Sequence, residues 1–155
     1  MLAAVAGIIE LSARAAYAAP PKGDAEQALR TGRYEQARRL ACAGGRGRAP
    51  DDTATLLQCV KAELALGRMN EARKRLEAAA DARPDDLPVR DALMRIYDAV
   101  RDRAALTPLI DASYTDWNGG NVARSRPADL IAIATAVRLA RHDWIVPRSW
   151  RRVFR

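Results

Sequence analysis

From Leu56 onward the apolar residues recur every three or four positions instead of alternating. Leu56, Leu57, Cys59, Val60 and Leu64 fall on one side of a helix, and Met69, Ala72, Leu76 and Ala79 on one side of the next. Ala92, Leu93, Ile96, Tyr97 and Val100 predict a third stripe, and Leu130, Ile131, Ile133, Ala134, Val137 and Leu139 a fourth. Nearer the N-terminus, Tyr34 to Ala43 reads as a helix. A shorter one from Asp24 to Arg30 precedes it, limited by Pro20-Pro21. Asp51, Asp52 and Thr53 offer N-cap oxygens to the helix that begins there.

The breaks between these stripes repeat. Gly32 and Gly67 lie 35 positions apart, and in both copies an alanine, Ala37 or Ala72, comes five positions later. A period in the mid-thirties predicts helical hairpins, each burying its apolar face on a neighbour. Glycine suits a corner that needs positive φ, alanine lets helix backbones approach closely, and proline stops a helix.

With Gly67, Ala72, Ala79 and Pro84 at relative positions 0, 5, 12 and 17, the chain resembles the tetratricopeptide-repeat family. The resemblance covers residues 24–145. It implies an all-α, right-handed α-hairpin solenoid of about four repeats, the first and last incomplete. Repeat two then runs from Thr53 to Asp86. Repeat three begins near Leu87, with Arg101 in place of the family glycine and Leu106 in place of the alanine. Pro108 should kink or shorten the second helix of that repeat. Tyr114 to Asn121, with Gly119-Gly120, reads as an unusually long connection. In repeat four Arg141-His142-Asp143 would be the turn, and Pro147 interrupts the helix expected after it. Such a repeat would suit the N-terminal scaffold of a larger enzyme or secretion component.

Composition divides the chain further. Residues 1–18 are apolar and alanine-rich and end in Ala16-Tyr17-Ala18, the small-x-small pattern of an export signal, which predicts a periplasmic or otherwise extracytoplasmic protein; the alternative is an alanine-rich helix packing on repeat one of a cytoplasmic protein. The repeat domain occupies 19–145, and 146–155 is a basic tail or truncated helix. The net charge of +7 is concentrated late, because residues 138–155 hold six arginines against Asp143 alone. That tail offers an alternative role in anion or nucleic-acid contact. The excess of arginine over lysine, 23 to 3, is read as coding bias and not as a nucleic-acid signature. No stretch has the length and apolarity of a transmembrane helix.

No motif points to catalysis, a cofactor or a metal. His142 is the sole histidine, and Gly44-Gly45-Arg46-Gly47-Arg48 comes after a helix, as a linker would, instead of after a strand. Cys42 and Cys59 fall on adjacent helices, where export would permit a disulfide across that linker. The resemblance implies that the first helix of each repeat lines a concave groove. Its inner positions are Leu57, Lys61 and Leu64, then Asp91, Arg95 and Asp98, then Ile131, Thr135 and Arg138. From these, Lys61, Arg95, Leu57, Asp91 and Arg138 form the expected binding set for a protein or peptide partner, an acidic one by charge, with no small-molecule substrate. The lysine-and-asparagine clamp of chaperone-tail binders is absent.

Overall fold

The computed structural model describes residues 23–43, 52–122 and 126–142. Among the described residues there are seven α-helices and no strand. They are α1 (Gly23–Arg30), α2 (Tyr34–Cys42), α3 (Thr53–Ala65), α4 (Met69–Ala82), α5 (Leu87–Ala99), α6 (Arg103–Asn118) and α7 (Pro127–His142). The expected signal segment, the Gly-rich linker, Asp143 and the basic tail lie outside the described residues. No helix among the described residues is long and apolar enough to cross a membrane.

Three corners share one backbone conformation. Gly32, Gly67 and Arg101 occupy the left-handed region, with φ of 73°, 73° and 59°. In each corner the next residue donates its N–H to a carbonyl five positions back: Arg33 to Ala28 at 2.8 Å, Arg68 to Glu63 at 2.8 Å, Asp102 to Tyr97 at 2.9 Å. This Schellman pattern satisfies carbonyls that a helix end would otherwise leave open. Five positions past each left-handed residue, Ala37, Ala72 and Leu106 are completely buried. The same geometry thus ends one helix and starts the next with its apolar face already on the core.

Helix contacts are confined to near neighbours. α1, α3, α5 and α7 touch in succession, while α2, α4 and α6 each touch only the helix before and the helix after. The main core runs from α3 to α7 and includes Leu56, Leu76, Leu93, Met94, Leu106, Ile110 and Leu139. The fully buried residues of the α1–α2–α3 contacts are small instead: Ala28, Ala37 and Ala62 in one cluster, Ala25, Ala41 and Cys59 in another, with Leu29 and Leu40 half-buried at their edges.

Polar residues fix the helix starts. Asp52, Asp86 and Asp102 accept from the backbone N–H of Thr55, Val89 and Ala105 at 3.2, 3.4 and 3.1 Å. The Thr53 hydroxyl donates to Asp86, so the first turn of α3 is tied to the cap of α5. Arg90 is buried and ties α6 to the α4–α5 turn. It donates to Asp116 at 2.5 Å, to the Pro84 carbonyl at 2.6 Å and to Ser113 at 3.5 Å.

Three expectations need correction. Pro108 does not shorten its helix, and Tyr114 to Asn118 is helix, not connection; α6 continues to Asn118. Proline in a helix interior costs about 3 kcal/mol. Leu106 and Ile110 are completely buried on either side of it, and each contributes about 1.5–3 kcal/mol, enough to hold the helix through the break. The expected turn at Arg141-His142 is likewise helical.

A Cβ at Gly67 would meet nothing within 4 Å, so substitution there is penalised by backbone torsion alone. Gly67→Ala should therefore cost about 1 kcal/mol, while Arg101→Gly should add about 0.5–1 kcal/mol by relieving the same torsion; urea denaturation of both variants reads the opposite signs. A second test uses Tyr97, which donates to Glu77 across α5 and α4 at 2.8 Å. Burial, then the Glu77 hydrogen bond, pushes its hydroxyl up to about 12. The unfolded tyrosine ionises near 10. Between those values the unfolded chain loses the proton first, so stability should fall from about pH 10 to about 12, and Tyr97→Phe should flatten that slope.

Candidate functional site

The succession of α3, α5 and α7 leaves a groove of about 500 Å³ along one side of α5. Pro88, Ala92, Ile96 and Ala99 lie along it from the first turn of α5 to the last, a length of about 16 Å at helical rise. Leu57, Val60 and Leu64 of α3 contribute one wall, with Met69 from the start of α4; Ala128 and Ile131 of α7 contribute the other. Leu64, Met69 and Ile131 are unusually exposed for large apolar residues, Ile131 at 53%.

Three charged residues interrupt this apolar lining: Lys61, Asp91 and Arg95. Their electrostatic states differ. Arg95 donates through Nε to Asp91 at 3.0 Å and through its terminal nitrogen to the Thr135 hydroxyl at 3.0 Å, which joins α5 to α7. Lys61 is exposed and makes no ion pair or hydrogen bond with the described residues. The Asp91 Oδ1 atom is buried and has no hydrogen-bond partner among them.

Of the inner positions named from sequence, Leu57, Lys61, Leu64, Asp91, Arg95 and Ile131 are brought together in the groove. Thr135 is buried beneath Arg95, and Asp98 pairs instead with Arg103 at 3.4 Å. Arg138 is exposed but does not line the groove. It lies two turns past Ile131 on α7, about 10 Å further along the axis. Met69, Pro88 and Ala128 line the groove without having been named for it. All three stand in the first turn of their helices, and only the meeting of those helix starts with Leu64 and Asp91 in space brings them to the site.

A second polar cluster lies on the face of α3 toward α2. Cys42 and Cys59 form a disulfide with Cα atoms 5.1 Å apart. Glu63, one turn beyond Cys59, is 2% exposed and receives a two-pronged contact from Arg75 of α4 at 2.9 and 3.3 Å. The Glu63 carboxylate is 3.9 Å from the Cys42 sulfur. The 56–59–60–63 spacing could have revealed a carboxylate in the core, because Glu63 continues the buried stripe. On the outer side of α2, the Arg38 hydrogen bond holds the Glu35 carboxyl below its ordinary value. None of these groups has the arrangement of a nucleophile with a base. Comparison of the chain with protein-family models, curated proteins and solved structures gives no match.

The disulfide spans 17 residues. Loop-closure entropy for that size is about 3 kcal/mol, and the surrounding contacts are small-residue contacts of modest area. Cys42→Ser/Cys59→Ser, or reduction of the natural chain, should lower the unfolding free energy by about 2–3 kcal/mol in urea. Unchanged stability would show that the cross-link constrains nothing.

Proposed function

We propose that this chain is a non-catalytic binding scaffold, a short stack of tetratricopeptide-like helical hairpins that holds a protein segment in the groove between α3, α5 and α7. Support for the hairpin stack comes from the three equivalent corners and from helix contacts restricted to near neighbours. Support for binding comes chiefly from one observation. The groove combines exposed apolar side chains with a lysine that lacks any partner among the described residues. An ordinary solvated helix face carries scattered charge; a concave apolar surface with few polar groups is the usual form of a recognition site. Lys61 favours a partner bearing a carboxylate, since Asp91 is already engaged with Arg95.

An oxidising, extracytoplasmic location is part of the same reading. The Cys42–Cys59 bridge supports it, because such bonds persist where thiols are not kept reduced.

Affinity capture from the native host provides the test, using three forms of the full chain. The unaltered chain and Lys74→Glu, changed on the exposed side of α4 away from the groove, should retain the same protein. Leu64→Arg/Ile131→Arg should lose it. Equal recovery with all three forms would remove the groove as the binding surface.

A further inference from the structure

The disulfide and the buried carboxylate beside it form a set of donor atoms that the groove does not use. Cys59 and Glu63 stand one turn apart on the same face of α3, and Cys42 reaches them from the last turn of α2. The two sulfurs and a Glu63 oxygen all lie within 4.8 Å of one another. Cys59 and Glu63 are buried, whereas Cys42 is half-buried and gives this corner its access to solvent.

Those separations match one chemistry. A tetrahedral zinc ion holds thiolate sulfurs at about 2.3 Å and a carboxylate oxygen at about 2.1 Å. Its ligand atoms are then about 3.6 Å apart for sulfur and oxygen, and about 3.8 Å for sulfur and sulfur. The Cys42 sulfur is already 3.9 Å from Glu63 Oε1. The sulfurs are joined to one another, so the pair that must separate is the pair that reduction frees. An external dithiol would transfer two electrons and two protons to the bridge, leaving two thiols here and a disulfide on the reductant. An entering zinc ion then displaces both thiol protons to solvent.

The charges balance as well. Two thiolates and a carboxylate around a divalent ion leave one negative charge, which is costly to bury alone. Arg75 supplies the compensating cation. It donates to Glu63 Oε1 at 2.9 Å and to Oε2 at 3.3 Å, and a carboxylate has about four lone-pair sites, so two stay open to an ion. A metal-binding carboxylate is ordinarily oriented by such an outer hydrogen bond. Thiolates select zinc over magnesium or calcium, which take oxygen donors. We propose that the reduced chain binds a zinc ion through Cys42, Cys59 and Glu63, with Arg75 as a positioning residue and water as the fourth ligand from the Cys42 side. Disulfide and ion are alternative occupants of one corner. Either ties α2 to α3, so the ion holds the α1–α2 end in place when the bridge is absent.

Cobalt(II), a spectroscopic stand-in for zinc, is the probe. The full chain is reduced with a dithiol, desalted under nitrogen and titrated with cobalt chloride. One ion per chain should bind, with thiolate-to-cobalt charge transfer in the near ultraviolet and the visible bands of a tetrahedral ion, and zinc should displace it. The unreduced chain and Cys42→Ser/Cys59→Ser should show neither set of bands. Glu63→Gln should weaken cobalt binding by about tenfold or more. That change strands Arg75, so Glu63→Gln/Arg75→Met is made beside it and should show a loss of the same order. Circular dichroism of each reduced chain establishes that it is helical. Zinc should also raise the melting temperature of the reduced natural chain and slow the return of its disulfide in air. A reduced chain without charge-transfer bands would overturn the inference, whether it is folded or not. So would full affinity in both Glu63 variants, which would remove the carboxylate from the site.

Discussion

The left-handed corner is the constraint on which the rest of the structure depends. A helix must end, reverse and restart within three residues, and the φ values at Gly32, Gly67 and Arg101 show the same solution used each time. Because the corner fixes the rotation of the second helix about its axis, the residue five positions later always enters the core, whether alanine or leucine. Repetition of that geometry puts α1, α3, α5 and α7 side by side. The groove is a consequence of that row, since α5 has a neighbour on each side and a long face left between them.

Stability is distributed unevenly along the row. From α3 to α7, large aliphatic side chains meet in one continuous core. At the α1–α2 end, alanines allow close approach but bury little apolar area, and each missing methylene forgoes about 0.8 kcal/mol. The Cys42–Cys59 bridge joins α2 to α3 at that thinner end, with the Glu63–Arg75 pair joining α3 to α4 beside it. Breaking a buried pair by removing one member strands the other charge, so that contact acts more as a demand for one packing arrangement than as a source of net stability. Arg90 has the same character at the other end, holding the α4–α5 turn against α6.

Much of the helical organisation was legible in the sequence because its signals are local. Apolar period placed α2 to α5 and α7, and aspartates marked the start of α3. The errors arose where tertiary packing outweighed a local preference. Pro108 is a helix breaker by every local rule, yet Leu106 and Ile110 are anchored on either side of it. Six of the inner-face residues could be named because period projects them onto one side of successive helices. Arg138 could not be judged that way, since period gives the direction of a side chain but not how far along the axis the groove extends. The Asp91–Arg95 pair is an i,i+4 contact within α5 and had a signal in the spacing, whereas the Arg95–Thr135 hydrogen bond depends on geometry between α5 and α7 and had none.

The central claim is that a partner is held on the α3–α5–α7 side. Site-specific photo-crosslinking in the native host tests it most directly, because it captures a partner whose identity is not known beforehand. A benzophenone side chain placed at Leu64 or Ile131 should yield a discrete adduct, whereas one at Arg39 or Lys74, on the exposed sides of α2 and α4, should yield none. Adducts formed from Arg39 or Lys74 but not from Leu64 or Ile131 would contradict the account.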